Sequence, residues 1–210
     1  MTVFIGRQPI ISRDAEVIGY ELLYRENNLN ICDLAASFDA TERIINSNGL
    51  QYGVDHITEG KKALINFSEK ALLNGVAQKL PVNNVVIEIL ETVSPSDEVF
   101  EVCHELVSLG YELALDDFVY DESWVRFVEI VQIIKIDIIA TPLESIGGLI
   151  NAVKKMKQSN IATAPKLLAE KIETSVEYEK AKELGFDFFQ GYLFGRPEMI
   201  ISKAGTRLSA

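Results

Sequence analysis

The sequence predicts an α/β fold, a TIM-type (β/α)8 barrel with one antiparallel strand in an amino-terminal hairpin, and three observations carry that prediction. Short apolar runs rich in Val, Ile, Phe and Tyr recur along the chain. From residue 60 onward they alternate with longer segments of helical periodicity, and the first two runs stand too close together for a helix between them. Alternation of this kind builds a parallel sheet, because each parallel strand needs a long crossover to bring the chain back to the same end.

In chain order the expected strands are Val3–Ile11, Val17–Tyr24, Ala63–Phe67, Val85–Leu90, Glu112–Asp116, Val131–Ile136, Ile161–Leu168 and Asp187–Leu193. Only the turn-like Ser12–Glu16 separates the first two, so they are expected to pair as an antiparallel hairpin. Helices are expected over Asp39–Ser47, Asp97–Leu109, Ile146–Gln158 and Ile172–Leu184, where apolar residues recur at spacings of three and four. Two of these end in Leu-Gly, at Gly110 and Gly185, a helix-stop pattern. Within Asp97–Leu109, the residues Val99, Val102, Cys103 and Leu106 form one face, expected to lie on the barrel. The segment Glu122–Glu129 receives no element, and the packing of its Trp124 and Phe127 is not defined by pattern. Residues 1–201 are assigned to a single barrel domain, and 202–210, small and polar, to a tail or the start of a linker.

At 210 residues with 48% hydrophobic positions, the chain can bury one large core but not two comfortable domains. Its formal charge of −11, from 31 acidic and 20 basic residues, repels a polynucleotide, so no polynucleotide partner is expected. A small anion remains compatible with that charge wherever bound cations neutralise it locally. Cys32 and Cys103 are solitary and give neither a disulfide framework nor a zinc cluster. No stretch reaches the ~18 apolar residues of a membrane span, and the amino terminus does not read as a secretory signal, so no membrane partner and a cytoplasmic location are expected. His56 and His104 are assigned no role.

Nearly every expected strand closes on a polar residue that a purely structural strand end does not need: Glu21, Asn66, Glu88, Asp116, Asp117, Lys135, Glu170 and Gln190. In a parallel barrel these ends gather on the face that carries active sites. Carboxylates crowded there raise one another's pKa, and bound divalent cations compensate. Oxygen-only ligands suit magnesium, manganese or calcium rather than zinc. Lys135, set among apolar residues, needs carboxylate or substrate company. Each residue alone has an ordinary structural explanation; it is their joint fall on successive strand ends that marks a site.

The ordered series Gly19-Tyr20-Glu21-Leu22-Leu23-Tyr24-Arg25, Asn66-Phe67-Ser68, Glu88-Ile89-Leu90-Glu91, Asp116-Asp117-Phe118, Lys135-Ile136-Asp137, Ala169-Glu170-Lys171-Ile172-Glu173 and Gln190-Gly191-Tyr192 resembles the EAL domain, with the name-giving motif present as Glu-Leu-Leu. The resemblance runs from Gln8-Pro9-Ile10 to Pro197. It implies a phosphodiesterase that uses two divalent cations, Mg2+ or Mn2+, to hydrolyse cyclic di-GMP to linear pGpG in bacterial second-messenger signalling. By the same resemblance, Glu21, Asn66, Glu88, Asp116 and Asp117 would hold metal, and Lys135 would act on the attacking water. Glu170, Gln190, Glu91 and Glu173 would support catalysis, and Gln8 and Arg25 would contact the ligand.

Two stretches depart from the family pattern. After Asp117-Phe118 the family usually carries a glycine-rich loop that couples metal binding to dimerisation, whereas this chain reads Val119-Tyr120-Asp121-Glu122-Ser123-Trp124. After Arg25, the usual aromatic and proline-bearing lobe gives way to the short polar segment Glu26–Cys32. Both resemble the subgroup in which an EAL domain precedes an HDOD domain, so an HDOD or other signalling domain and a homodimer are the implied partners beside cyclic di-GMP. The alternative reading is a catalytically impaired EAL domain acting as a cyclic di-GMP receptor or protein-interaction scaffold. A different metal-dependent barrel enzyme is the third, permitted by the strand-end acids and opposed by the ordered motifs.

Overall fold

The structure, a computed structural model, describes residues 2–25, 45, 54–141, 146–158 and 164–203. Its strands are β1 (Thr2–Ser12), β2 (Val17–Arg25), β3 (Lys62–Phe67), β4 (Val85–Ile89), β5 (Glu112–Leu115), β6 (Ile133–Asp137), β7 (Lys166–Glu170), β8 (Phe188–Phe189) and β9 (Glu198–Lys203). β2 to β8 are successive parallel neighbours, and β1 lies antiparallel to both β2 and β8, so eight strands close into the expected barrel. Because β1 runs against the others, its amino-terminal half stands at their carboxyl ends, where it pairs with β9 from Thr2↔Lys203 to Arg7↔Glu198. β9 has no counterpart among the strands expected from sequence.

The described helices are α1 (Glu69–Leu73), α2 (Asp97–Ser108), α3 (Val125–Val128), α4 (Gly147–Gln158) and α5 (Ser175–Leu184). None is long and apolar enough to cross a membrane. The helix expected at Asp39–Ser47 falls outside the described residues except for Ile45. α5 starts three residues later than its periodicity predicts because Thr174 and Glu177 form a reciprocal capping box, which fixes Thr174 as the first non-helical residue. β7 begins after Pro165, a residue with no N–H to give to the ladder. β8 is two residues long, not the seven of Asp187–Leu193, because the chain turns at Gly191 and Leu193 N–H donates to Ile172 O (3.1 Å) instead of to a strand.

The segment that pattern left unassigned is a 3-10 turn, Glu122–Trp124, leading into α3. Its aromatic rings form a ladder: Phe118 meets Trp124 edge-on at 6.4 Å, Trp124 meets Phe127 at 4.8 Å, and Phe127 meets Phe100 of α2 edge-on at 5.2 Å. Arg126 caps the ladder, its guanidinium 4.6 Å from the Phe100 ring and 2.6 Å from Asp97. The loop after Asp117 is thereby fastened to α2.

Val99, Cys103 and Leu106 of α2 are buried against the barrel as expected, while Val102 is only partly buried. Each fully buried aliphatic side chain of this layer contributes roughly 1.5–3 kcal/mol. The Cys103 thiol is fully buried and burial pushes its pKa up to about 12. In a Cys32→Ser variant, native protein is therefore expected to resist a thiol reagent at pH 8, and to label stoichiometrically once unfolded in guanidinium. Rapid labelling of the native chain would contradict this packing.

Candidate active site

Side chains on a strand alternate between its two faces, so residues two apart share one. The barrel interior is floored by a buried cluster of Ile10, Leu64, Val86, Ala114, Ile133 and Leu168, with Phe188 packed against it. Two residues further along β3, β4, β6 and β7, and just past the ends of β5 and β8, come Asn66, Glu88, Lys135, Glu170, Asp116 and Gln190. In antiparallel β1 the same step runs backwards, from Ile10 to Gln8. One register rule thus lifts seven polar residues onto a single layer above an apolar plug.

Lys135 stands at the centre of that layer, 1% exposed. Its Nζ donates to Glu88 Oε1 and to Asp116 Oδ1 (2.8 Å), and lies 3.0 Å from Glu170 Oε1 and 3.7 Å from Glu21 Oε2. A second strand of contacts fixes Glu21: Gln190 Nε2 donates to its Oε2 (2.7 Å) and Asn66 Nδ2 to its Oε1 (3.3 Å). Gln190 Nε2 also reaches Gln8 Oε1 (3.3 Å), and Gln8 Nε2 donates to Gly195 O (3.1 Å). Asp117 turns out of the strand in the left-handed region (φ 41°). Glu91, Asp116 and Asp117 each offer a carboxylate oxygen, all within 4.8 Å of one another.

Charge is distributed unevenly over these acids. Burial pushes Glu88 well above the usual carboxylate range, against the pull of Lys135, and pushes Glu170 up to about 8. Burial also raises Asp117, helped by the neighbouring Asp116. For Asp116 burial is outweighed by Lys135 and by hydrogen bonds, which hold it below its ordinary value. Burial of Lys135 is likewise overcome by Asp116, Glu170, Glu21 and Glu88, which keep it protonated. Burial thus works against ionisation of Glu88 and Glu170, while Lys135 and Asp116 favour each other's charged forms.

This donor set fits hard divalent cations. Every available ligand is oxygen, and two buried oxygens of the layer's residues, Glu170 Oε2 and Gln190 Oε1, have no hydrogen-bond partner. A cation would also offset the burial and mutual repulsion that raise Glu88, Glu170 and Asp117.

Not every residue singled out by sequence joins the layer. Glu173 is exposed before α5, where its backbone N–H donates to Glu177 Oε2 (2.9 Å). Arg25 is the last residue of β2, in register with Phe4, and its side chain lies outside those described. Two residues of the rim were quoted in motifs but given no role: Asp137 and Lys171. Asp137 is buried at the end of β6, pairs with Lys171, and accepts from Ile139 N (2.8 Å) and Ala140 N (3.0 Å). The step of two from Lys135 to Asp137 is the sequence signal that would have found it.

An α/β barrel whose strand ends gather carboxylates and amides around one buried lysine defines the class. The chain belongs to the EAL domain family, whose model matches residues 7–197. It is 40% identical over 200 residues to the cyclic di-GMP phosphodiesterase CdgJ of Vibrio cholerae serotype O1, covering 95% of this chain and 45% of that protein. It is 35% identical to the uncharacterized protein YuxH of Bacillus subtilis, covering 95% and 48%. The chain thus spans about half the length of these curated relatives. Among solved structures, the cyclic di-GMP complex of the PaMucR phosphodiesterase superposes with a TM-score of 0.68 at 20% identity, covering 92% of this chain and 90% of that one. The manganese and cyclic di-GMP complex of Klebsiella pneumoniae BlrP1 gives 0.69 at 22% identity, covering 94% and 56%. At these identities the likeness is one of fold.

Proposed function

We propose that this chain is a cyclic di-GMP phosphodiesterase domain that hydrolyses its substrate to linear pGpG with two divalent cations, Mg2+ or Mn2+, in the bacterial cytoplasm. The observation that carries the proposal is the convergence of Glu21, Glu88, Asp116 and Glu170 on buried Lys135, on the rim where barrel enzymes act. Glu21, Asn66, Glu88, Asp116 and Asp117 would hold the cations. When bound, these supply neutralisation of phosphate charge and activation of water.

The chain's own groups prepare that chemistry. Gln190 and Asn66 hold both oxygens of Glu21 in place. Lys135, held by Glu88 and Asp116, would at Nζ donate a hydrogen bond to the attacking water and stabilise negative charge. Gln8 and Arg25 are proposed to meet the ligand, and Glu91, Glu170 and Glu173 to support the acids. Association with an HDOD or other signalling domain, and with a second copy of the chain, belongs to the same proposal.

A second reading, binding of cyclic di-GMP or a protein without turnover, is favoured by the anchoring of the loop after Asp117 onto α2. Incubation of the chain with cyclic di-GMP and either metal, with pGpG followed by chromatography, separates the two. Metal-dependent product is expected, with loss of it in Glu21→Ala. No product with either metal would remove the phosphodiesterase reading and leave ligand binding to be measured.

A further inference from the structure

Lys171 follows β7 immediately and adopts a left-handed backbone (φ 59°), a conformation that favours glycine over a residue with a side chain. Its neighbours impose that conformation: Glu170 O accepts from Ile138 N (3.5 Å), and Ile172 N donates to Gln190 O (3.0 Å). The consequence is that a lysine side chain is thrown across the rim. Its Nζ pairs with Asp137 and lies 3.9 Å from Asp117 Oδ1. That oxygen is buried and has no hydrogen-bond partner. Asp117 also belongs to the trio with Glu91 and Asp116 whose oxygens fall within 4.8 Å of one another.

We propose that Lys171 is a built-in counter-ion for the Asp117 side of the site, so that a divalent cation held by Asp117 binds less tightly than it would without this lysine. The inference rests on the cation-binding reading above and concerns how that site fills. Two like-charged occupants cannot share Asp117 without cost: an ammonium already near its free oxygen opposes an incoming dication there. The Glu21, Glu88 and Glu170 side of the layer lies around Lys135 and not around Lys171. Lys171 is a positioning residue, acting through Asp117 and Asp137. Its side chain is half exposed, so the opposition is screened by salt.

The test is Mn2+ titration followed by the electron paramagnetic resonance signal of free Mn2+, on the wild-type chain, Lys171→Gly and Lys171→Arg. Glycine suits the left-handed backbone while deleting the charge, and a thermal melt verifies that it folds. Lys171→Gly should tighten Mn2+ binding on the order of tenfold at low salt, with the gap from the wild type narrowing as ionic strength rises, and Lys171→Arg should keep the wild-type affinity. Mn2+ binding identical in all three chains would overturn the role of Lys171 while leaving the cation site standing. An equal shift in both variants would also overturn it. Absence of Mn2+ binding in every chain would overturn the cation site itself.

Discussion

Lys135→Ala is expected to be the most damaging single change to both stability and turnover. The ammonium is fully buried, hydrogen-bonded to Glu88 and Asp116, and within 3.0 Å of Glu170 and 3.7 Å of Glu21. Removing it leaves acids facing one another without their shared counter-charge. Breaking a buried ion pair from one side costs roughly 3–5 kcal/mol, a large part of a domain's net stability of about 5–15 kcal/mol. The melting temperature should fall by roughly 10 °C. Added Mg2+ should recover more stability in the variant than in the wild type, because it supplies the missing positive charge. Hydrolysis of cyclic di-GMP should drop by on the order of a hundredfold to ten-thousandfold. A variant with wild-type melting and wild-type turnover would show that the lysine does not occupy the centre of the layer.

Gly191→Ala should be nearly as severe, for a steric reason. A Cβ there would stand 2.1 Å from Ile172 O and 2.3 Å from Ile172 N. Neither atom can step aside: Ile172 is fully buried, its N–H donates to Gln190 O at 3.0 Å, and its O accepts from Leu193 N at 3.1 Å. This tie locks the loop after β7 to the loop after β8, and so sets Gln190 against Glu21. Forced overpacking of backbone on backbone should cost about 3 kcal/mol or more and pull Gln190 away from Glu21. Denaturant midpoints compared with Gly60→Ala provide the check. Gly60 also has a left-handed backbone, but nothing lies within 4 Å of its Cβ position, so that change should cost only about 1 kcal/mol. Equal midpoints for the two variants would contradict the interlocked loops.

Strand alternation explains why so much of the site was legible in sequence. Leu64 and Asn66, Val86 and Glu88, Ala114 and Asp116, Ile133 and Lys135, and Leu168 and Glu170 are each an apolar plug residue followed two places later by a polar rim residue. That pattern is local, so composition and spacing expose it. One expected boundary, the start of α5, failed at a local capping box, and others failed where a non-local contact decided the element. β8 is cut short because Leu193 bonds to Ile172 in another loop, and β9 exists because β1 projects past the rim and offers it a partner. Phe118, Trp124 and Phe127 acquired meaning only when Phe100 of α2 came alongside.

By itself the sequence determined the barrel class, the antiparallel hairpin and the set of polar strand ends, because periodicity and turn length are properties of neighbouring residues. Tertiary structure alone decided that Lys135 is shared among four carboxylates, that burial raises the pKa of Glu88 and Glu170 beside it, and that Lys171 reaches Asp117. Those outcomes depend on distances between strands and on burial. Neither is fixed until the ring of strands closes and brings residues far apart in the chain within a few ångströms of one another.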